Sequence, residues 1–338
     1  MEKRLFKSTW SRYVLNAAST VATFAVLMFL TKAKVLNNYS SDILVQIGFN
    51  IILAVSLNLA AGFLGQLPLG HAGFMSVGAY ASAIFSKSMD LPSYIEFPLA
   101  VIIGAVVAFL FGILIGLPAL RLKGDYLAII TRGFSEIIRV IIQNLDFTGG
   151  AVGLRGITKY SDVGWVFFWV VLTIFCISTL IKSRHGRAIL FIREDEIASE
   201  ASGISTTFYK VAAFSISAAF AGVAGALYAH CLRILNPANF GFIKSAEILV
   251  MVVLGGMGSI IGSVVSAAVL TLLPELLRGF SEYRMIVYAL VLIVVMIFKP
   301  SGLFGRYDFS LGKSIDDGCA RIRNKLLRKG GKRNGDRS

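Results

Sequence analysis

The chain has 338 residues, of which 56% are hydrophobic and only 15% charged, with a formal net charge of +14 and a mean hydropathy of +0.75. A soluble globular domain carries roughly 25% charged residues, so this composition excludes that class and places the chain in a bilayer. The positive charges flank apolar runs instead of alternating with aromatics along one face, which excludes nucleic acid as the partner and fits basic loops on the cytoplasmic side.

At the N-terminus Lys3, Arg4, Lys7 and Arg12 precede an apolar run from Val14 to Leu30. No small-residue cleavage site follows, so this run reads as a retained signal-anchor span. A span needs about twenty mostly apolar residues. Runs at 14–31, 43–61, 98–119, 164–181, 210–230 and 285–298 meet that need. Less regular runs at 69–86, 125–144, 245–257 and 260–278 complete a set of about ten crossings. An even number puts both basic termini in the cytoplasm, together with Arg121, Lys123 and the loop 182–209. It puts 32–42, 87–97, 145–163, 231–244 and 279–284 outside. The expected fold is all-α, a polytopic membrane helical bundle with broken helices. Its expected parts are a basic N-terminus with the first span (1–42), a transmembrane domain (43–299) and a basic cytoplasmic tail (300–338). In the tail, Ser314 to Lys329 suits a short amphipathic helix on anionic lipid, and the Gly/Lys/Arg end suits disorder. Cys176, Cys231 and Cys319 have no placement that suggests a disulfide framework or a metal set.

Asn58 to Ser82 reads NLAAGFLGQLPLGHAGFMSVGAYAS. Gly62, Gly65, Pro68 and Gly70 lie too close together for an uninterrupted helix. Unwound backbone at membrane depth is tolerated where protein or a watery cavity satisfies it, and broken helices in transporters line the substrate path. Gln66, Leu67, Gly70 and His71 are therefore pathway candidates; a surface loop with glycines serving tight turns is the alternative. Further on, Gly124 to Asn144 carries Asp125, Arg132, Glu136 and Arg139. Helical spacing puts the last three on one face, so Glu136 is expected to lie between two guanidinium groups, as a gate or coupling element, as a structural ion cluster, or on an amphipathic helix at the interface. Thr148, Gly149 and Gly150 follow, either bringing backbone close to a ligand or forming a plain turn.

The densest mixed charge lies in GRAILFIREDEIASEASGI, Gly186 to Ile204. On a single helix Ile197, Ala201 and Ile204 form one stripe, with Glu194, Asp195, Glu196 and Glu200 facing elsewhere, and Gly203 ends it. Such a segment is too short and too charged to cross a bilayer. It suits docking into a partner groove, or serves only as a solvated loop helix. Farther along, Gly258 and Gly262, like Gly112 and Gly116, have the small-x-x-x-small spacing of closely packed membrane helices. No G-x-x-x-x-G-K-[ST], H-E-x-x-H or G-x-S-x-G motif occurs, so an ATPase or hydrolase site is not expected.

The GRA…IREDE…A…GI segment resembles the cytoplasmic-loop signature of branched-chain amino-acid ABC transporter permeases of the LivM/LivH type. LNLAAGFLGQLPLGHAGFMSVGAY, GDYLAIITRGFSEIIR, FTGGAVGL, AFSISAAFAGVAGALYA and VVLGGMGSIIGS resemble further blocks of that family, in family order from about Gln46 to Phe298. The GDYLAI and IREDE blocks are closer to the LivM type. The chain departs from the pattern at Leu190, Phe191 and Arg132. The resemblance implies a permease subunit of an importer for leucine, isoleucine, valine or similar small metabolites in the cytoplasmic membrane. It implies a second permease, two ATP-binding subunits that hold ATP-Mg, and an extracytoplasmic solute-binding protein, with no cofactor in this chain. It implies that Gly186, Arg187, Arg193, Glu194, Asp195, Glu196, Ala198, Gly203 and Ile204 contact an ATPase subunit. The stretch from Gln66 to Phe74, with Glu136 and Arg139, would lie along the pathway. A permease for urea or amides, or an ion-coupled secondary transporter, are the competing expectations.

Overall fold

Backbone amides and carbonyls in hydrocarbon must bond to one another, and a helix does this within one segment. The apolar runs of this chain accordingly form helices. The computed structural model describes residues 38–89, 92–122 and 124–277, with isolated helical positions at 286, 289, 290, 293 and 297. The helices are α1 (Asn38–Asn58), α2 (His71–Ser88), α3 (Ser93–Ala119), α4 (Asp125–Asn144), α5 (Val163–Lys182), α6 (Arg184–Glu194), α7 (Glu196–Ala201), α8 (Thr206–Leu232), α9 (Phe242–Gly255) and α10 (Ile260–Leu276). A π turn, Leu59–Phe63, extends α1. The two-residue strands β1 (Leu154–Arg155) and β2 (Ile234–Leu235) pair antiparallel, Leu154 opposite Leu235.

Four stretches are long and apolar enough to cross a membrane: Tyr39–Phe63, Ser93–Ala119, Val163–Lys182 and Thr206–Leu232. They correspond to the expected spans 43–61, 98–119, 164–181 and 210–230, and α10 is a shorter apolar helix at the expected 260–278. The molecule is an all-α, multi-pass membrane protein. The expected span 14–31, most of 285–298 and the basic tail lie outside the described residues.

Helix α3 shows how composition decides orientation. Ile102, Val106, Leu110 and Leu114 recur every four residues and are exposed on the surface of the chain. Gly104, Ala108, Gly112 and Gly116 recur on the opposite face and are buried. The small residues let α3 press on α2 and α8: a Cβ on Gly104 would come within 2.7 Å of the Gly78 carbonyl, and one on Gly112 within 2.8 Å of Ala218 Cβ. Gly78 lies directly on the backbone of Gly222. This is close packing of the kind expected from Gly112 and Gly116, spread over three helices. Gly262 in α10 likewise abuts the Gly255 backbone of α9, and Gly258, at φ +86°, makes the turn between them.

Some polar groups inside the bundle find protein partners, whereas Ser135 Oγ, Ser215 Oγ and Asn50 Oδ1 are buried without one. Asn50 Nδ2 donates to Thr271 Oγ1 at 2.9 Å and Ser217 Oγ to the Ser56 carbonyl at 2.6 Å. At the Leu232 end of α8, the rings of Phe97, Tyr160 and His230 stack on one another with centroids 5.4–6.0 Å apart, and Trp165 sits edge-on to Phe97 at 5.7 Å. Tyr160 Oη donates to buried Glu96 at 3.2 Å.

Candidate functional site: a broken helix and a two-part charged loop

The Gly/Pro-rich stretch breaks as its composition predicts. In the π turn Leu64 N donates to Leu59 O at 3.1 Å, and Gln66 N reaches back to Ala60 O at 3.0 Å. Gly65 then takes φ +77°, a conformation natural to glycine, and helix resumes only at His71. The freed backbone groups are met from other helices, as the low dielectric demands. Leu69 N donates to Thr131 Oγ1 and Ala72 N to Ser245 Oγ, both at 3.1 Å. Asn58, buried at the start of the break, accepts from Gly258 N at 2.8 Å and donates to Ser259 O and Ser263 Oγ at 2.9 Å. Gly62 O accepts from Arg193 Nη1 at 2.7 Å.

Of the expected pathway residues, Gln66 is half-buried and Leu67 exposed at the break. Gly70 packs on the Thr131 backbone. His71 is buried with Nε2 2.9 Å from Ser56 Oγ, and Phe74 meets Phe214 edge-on at 5.4 Å. On α4, Glu136 Oε2 accepts from Arg139 Nε at 2.7 Å. Arg132 does not complete the expected triad: its guanidinium lies 3.9 Å from the centroid of the Phe242 ring. An aromatic face from α9 competes for the cation, and helical spacing cannot foresee it. Thr148 Oγ1 bonds to the Ile142 and Leu145 carbonyls at 2.6 Å, and Gly149 and Gly150 have φ +81° and +56°. These three residues therefore form the turn that closes α4, with its hydroxyl on the last carbonyls.

The charged loop is two helices, not one. Ser183 Oγ caps α6 by accepting from His185 N and Gly186 N at 3.2 Å, and Gly186 is buried where a Cβ would strike the Leu180 and Ile181 carbonyls. Ile189 and Ile192 pack with Leu64 and Ala213. Asp195 breaks the chain and caps α7, its Oδ1 accepting from Ile197 N at 2.9 Å and Ala198 N at 3.0 Å. The expected stripe therefore does not form: Ile197 is 76% exposed and Ala201 exposed, whereas Ile204 packs against the Leu64–Ile189 cluster. Gly203, at φ +79°, ends α7 as expected, its N–H on Glu200 O at 2.9 Å. Arg187, Glu194 and Asp195 are exposed, Ala198 is half-buried, and Glu196 turns inward to Lys210 Nζ at 2.6 Å. Glu200 Oε1 accepts from Thr206 Oγ1 at 2.7 Å.

Asn58 and Lys210 are residues that the sequence reading passed over. Each is polar inside an apolar run, a signal available in the sequence. No cluster of three or more His, Cys, Asp or Glu suited to a metal occurs among the described residues.

The bend in the first described spanning helix is thus fastened to a charged loop outside the spans. A family model described as "Branched-chain amino acid transport system / permease component" matches residues 39–296. The chain belongs to this permease family. The LivM permease protein of the high-affinity branched-chain amino acid transport system of Salmonella typhimurium is 38% identical to the permease over 299 residues, covering 78% of this chain and 69% of that protein. Its Escherichia coli K12 counterpart is 38% identical over 288 residues, 75% of this chain and 67% of that protein. The Salmonella typhimurium LivH protein is 26% identical, over 75% of this chain and 91% of that protein. The higher identity to LivM agrees with the LivM-like blocks. No solved structure matches the permease.

Proposed function

We propose that the permease is one of two transmembrane subunits of an ATP-binding cassette importer that moves leucine, isoleucine, valine or a similar small metabolite across the cytoplasmic membrane. Two ATPase subunits, holding ATP-Mg, dock on the cytoplasmic face of the transporter, one of them on the loop 182–209 of this chain. A solute-binding protein delivers substrate at the opposite face. The chain itself carries no ATPase site and no cofactor.

The observation that carries this reading is the build of the loop. Ile189 and Ile192 pack on Leu64 and Ala213, and Glu196 pairs with Lys210, which fixes the loop to the bundle, while Arg187, Asp195 and Ile197 are exposed. A small apolar side chain rimmed by charge fits a partner groove. The broken stretch from Gln66 to Phe74 and the Glu136–Arg139 pair supply the polar face along the pathway, and nucleotide moves the helices by binding one of their arrangements more tightly.

The test is the paired substitution Arg187→Glu and Ile197→Asp in the reconstituted transporter. The expected result is loss of ATPase-subunit co-purification together with loss of ATP-dependent leucine uptake. Unchanged co-purification and uptake would overturn the docking assignment. Titrating the partner solute-binding protein with leucine, valine and urea fixes the substrate class.

A further inference from the structure

A π turn leaves carbonyls that no helical amide can reach. Beyond the bond from Gln66 N to Ala60 O, the chain swings away at Gly65, and the Gly62 carbonyl is left facing outward from α1. An unpaired carbonyl in an apolar site costs the desolvation of that group. Arg193, 131 residues away on α6, fills the vacancy with a charge-assisted bond of 2.7 Å.

The side chain is led there by a track of glycines. A Cβ on Gly65 would stand 3.0 Å from Arg193 Cγ, and one on Gly258 would stand 3.4 Å from Arg193 Nη1. Gly62 itself abuts Gly258 N and Asn58 Oδ1. The same carbonyl therefore belongs to a junction of three elements: the bend of α1, the turn from Gly256 to Ser259 between α9 and α10, and α6. Asn58 ties the first two together through three hydrogen bonds, and Arg193 ties the third to them. The apolar contacts of α6 with this region, Ile189 and Ile192 against Leu64 and Leu190 against the Val55–Leu59–Phe63 cluster, can slide, whereas a hydrogen bond to a fixed carbonyl has direction.

We propose that Arg193 is an internal positioning residue rather than a docking contact: through the Gly62 carbonyl it passes movement of α6 to the bend of α1 and to the α9–α10 turn. The inference rests on the reading that an ATPase subunit docks on this loop, and it replaces the expectation that Arg193 itself touches that subunit.

The test compares Arg193→Ala, Arg193→Lys and Gly65→Ala in the complete transporter in proteoliposomes. Three quantities are read: ATPase subunit retained on purification, ATP hydrolysis, and leucine taken up per ATP. For Arg193→Ala the retained subunit stays at the wild-type level and hydrolysis within about twofold, while uptake per ATP falls about tenfold, a coupling loss of the usual size. Arg193→Lys restores part of the ratio, because an ammonium can still donate to the carbonyl. Gly65→Ala, which pushes on the Arg193 stem and must also hold φ +77°, lowers the ratio in the same way, and the double variant with Arg193→Ala falls little below Arg193→Ala alone. If Arg193→Ala fails to reach the membrane, the other two variants carry the comparison. An unchanged ratio, or loss of the ATPase subunit from Arg193→Ala, overturns the proposal. Uptake by the wild type that needs no ATPase subunit would instead overturn the transport reading beneath it.

Discussion

Replacing Glu196 by Ala tests whether α7 is moored to α8 by an ion pair of unequal burial. The Lys210 side chain is 4% exposed and that of Glu196 26%, with 2.6 Å between them. Water can solvate Glu196 if its partner is lost, but it reaches Lys210 poorly. Stranding one charge of a fully buried pair costs about 3–5 kcal/mol. Discounting for the exposed carboxylate gives about 2 kcal/mol for Glu196→Ala and less than about 1 kcal/mol for Lys210→Met, whose apolar stem refills the site. The double variant should recover most of the loss, because an apolar replacement of both partners is near neutral. Thermal unfolding of the detergent-purified permease measures the ranking, and limited proteolysis between 195 and 205 shows whether α7 comes loose first. If Lys210→Met is as damaging as Glu196→Ala, or the double variant is no better than Glu196→Ala, the argument from unequal burial is wrong.

Gly78→Ala places a methyl on the Gly222 backbone, within 2.5 Å of its carbonyl oxygen; overpacking of this kind costs about 1–3 kcal/mol, and a melting temperature equal to wild type would show that the helices can part freely. Gly203→Ala meets no atom within 4 Å but must keep φ +79°, so it should lose about 1 kcal/mol from backbone strain alone. Gly133→Ala, equally unobstructed within α4, should instead gain up to about 1 kcal/mol; identical stabilities for these two would refute the backbone argument. In a background with Cys176, Cys231 and Cys319 replaced by Ser, Gln66→Cys should react with a small aqueous thiol reagent in the resting transporter. His71→Cys, buried beside Ser56, should react only when nucleotide is supplied. No reaction at either position in any nucleotide state removes the break from the pathway.

The four long spans and the break after Asn58 were legible because composition decides them: apolar length makes a span, and the cluster of Gly62, Gly65, Pro68 and Gly70 argues against an uninterrupted one. The exposed charge of 186–204 was equally plain. What stayed hidden depended on neighbours remote in sequence. Spacing places Arg132 and Glu136 on one face of α4 but says nothing of the Phe242 ring that draws Arg132 away. The division of the loop at Asp195 had a local signal, since Asp is a preferred helix cap, but the run Glu194–Asp195–Glu196 disguised it as one acidic patch. Lys210 was absorbed into the apolar run it begins, and its partner Glu196 was assigned outward with the other acids. The small-residue spacing of Gly112 and Gly116 announced close packing without naming α8 as the surface packed against.

The two ends of α8 are secured very differently. Toward Leu232, interlocked rings and the β1–β2 ladder grip the helix; toward Thr206 it rests on the glycines of α3 through Phe214 and Ala218, and its first turns are tied to the short helix α7 by Glu196 and Glu200. A helix of 27 residues is a stiff rod of roughly 40 Å. If an ATPase subunit displaces the loop as proposed, such a rod carries the displacement mostly at its loop end and little of it to the gripped tip. On that proposal, opening at one end need not bring opening at the other.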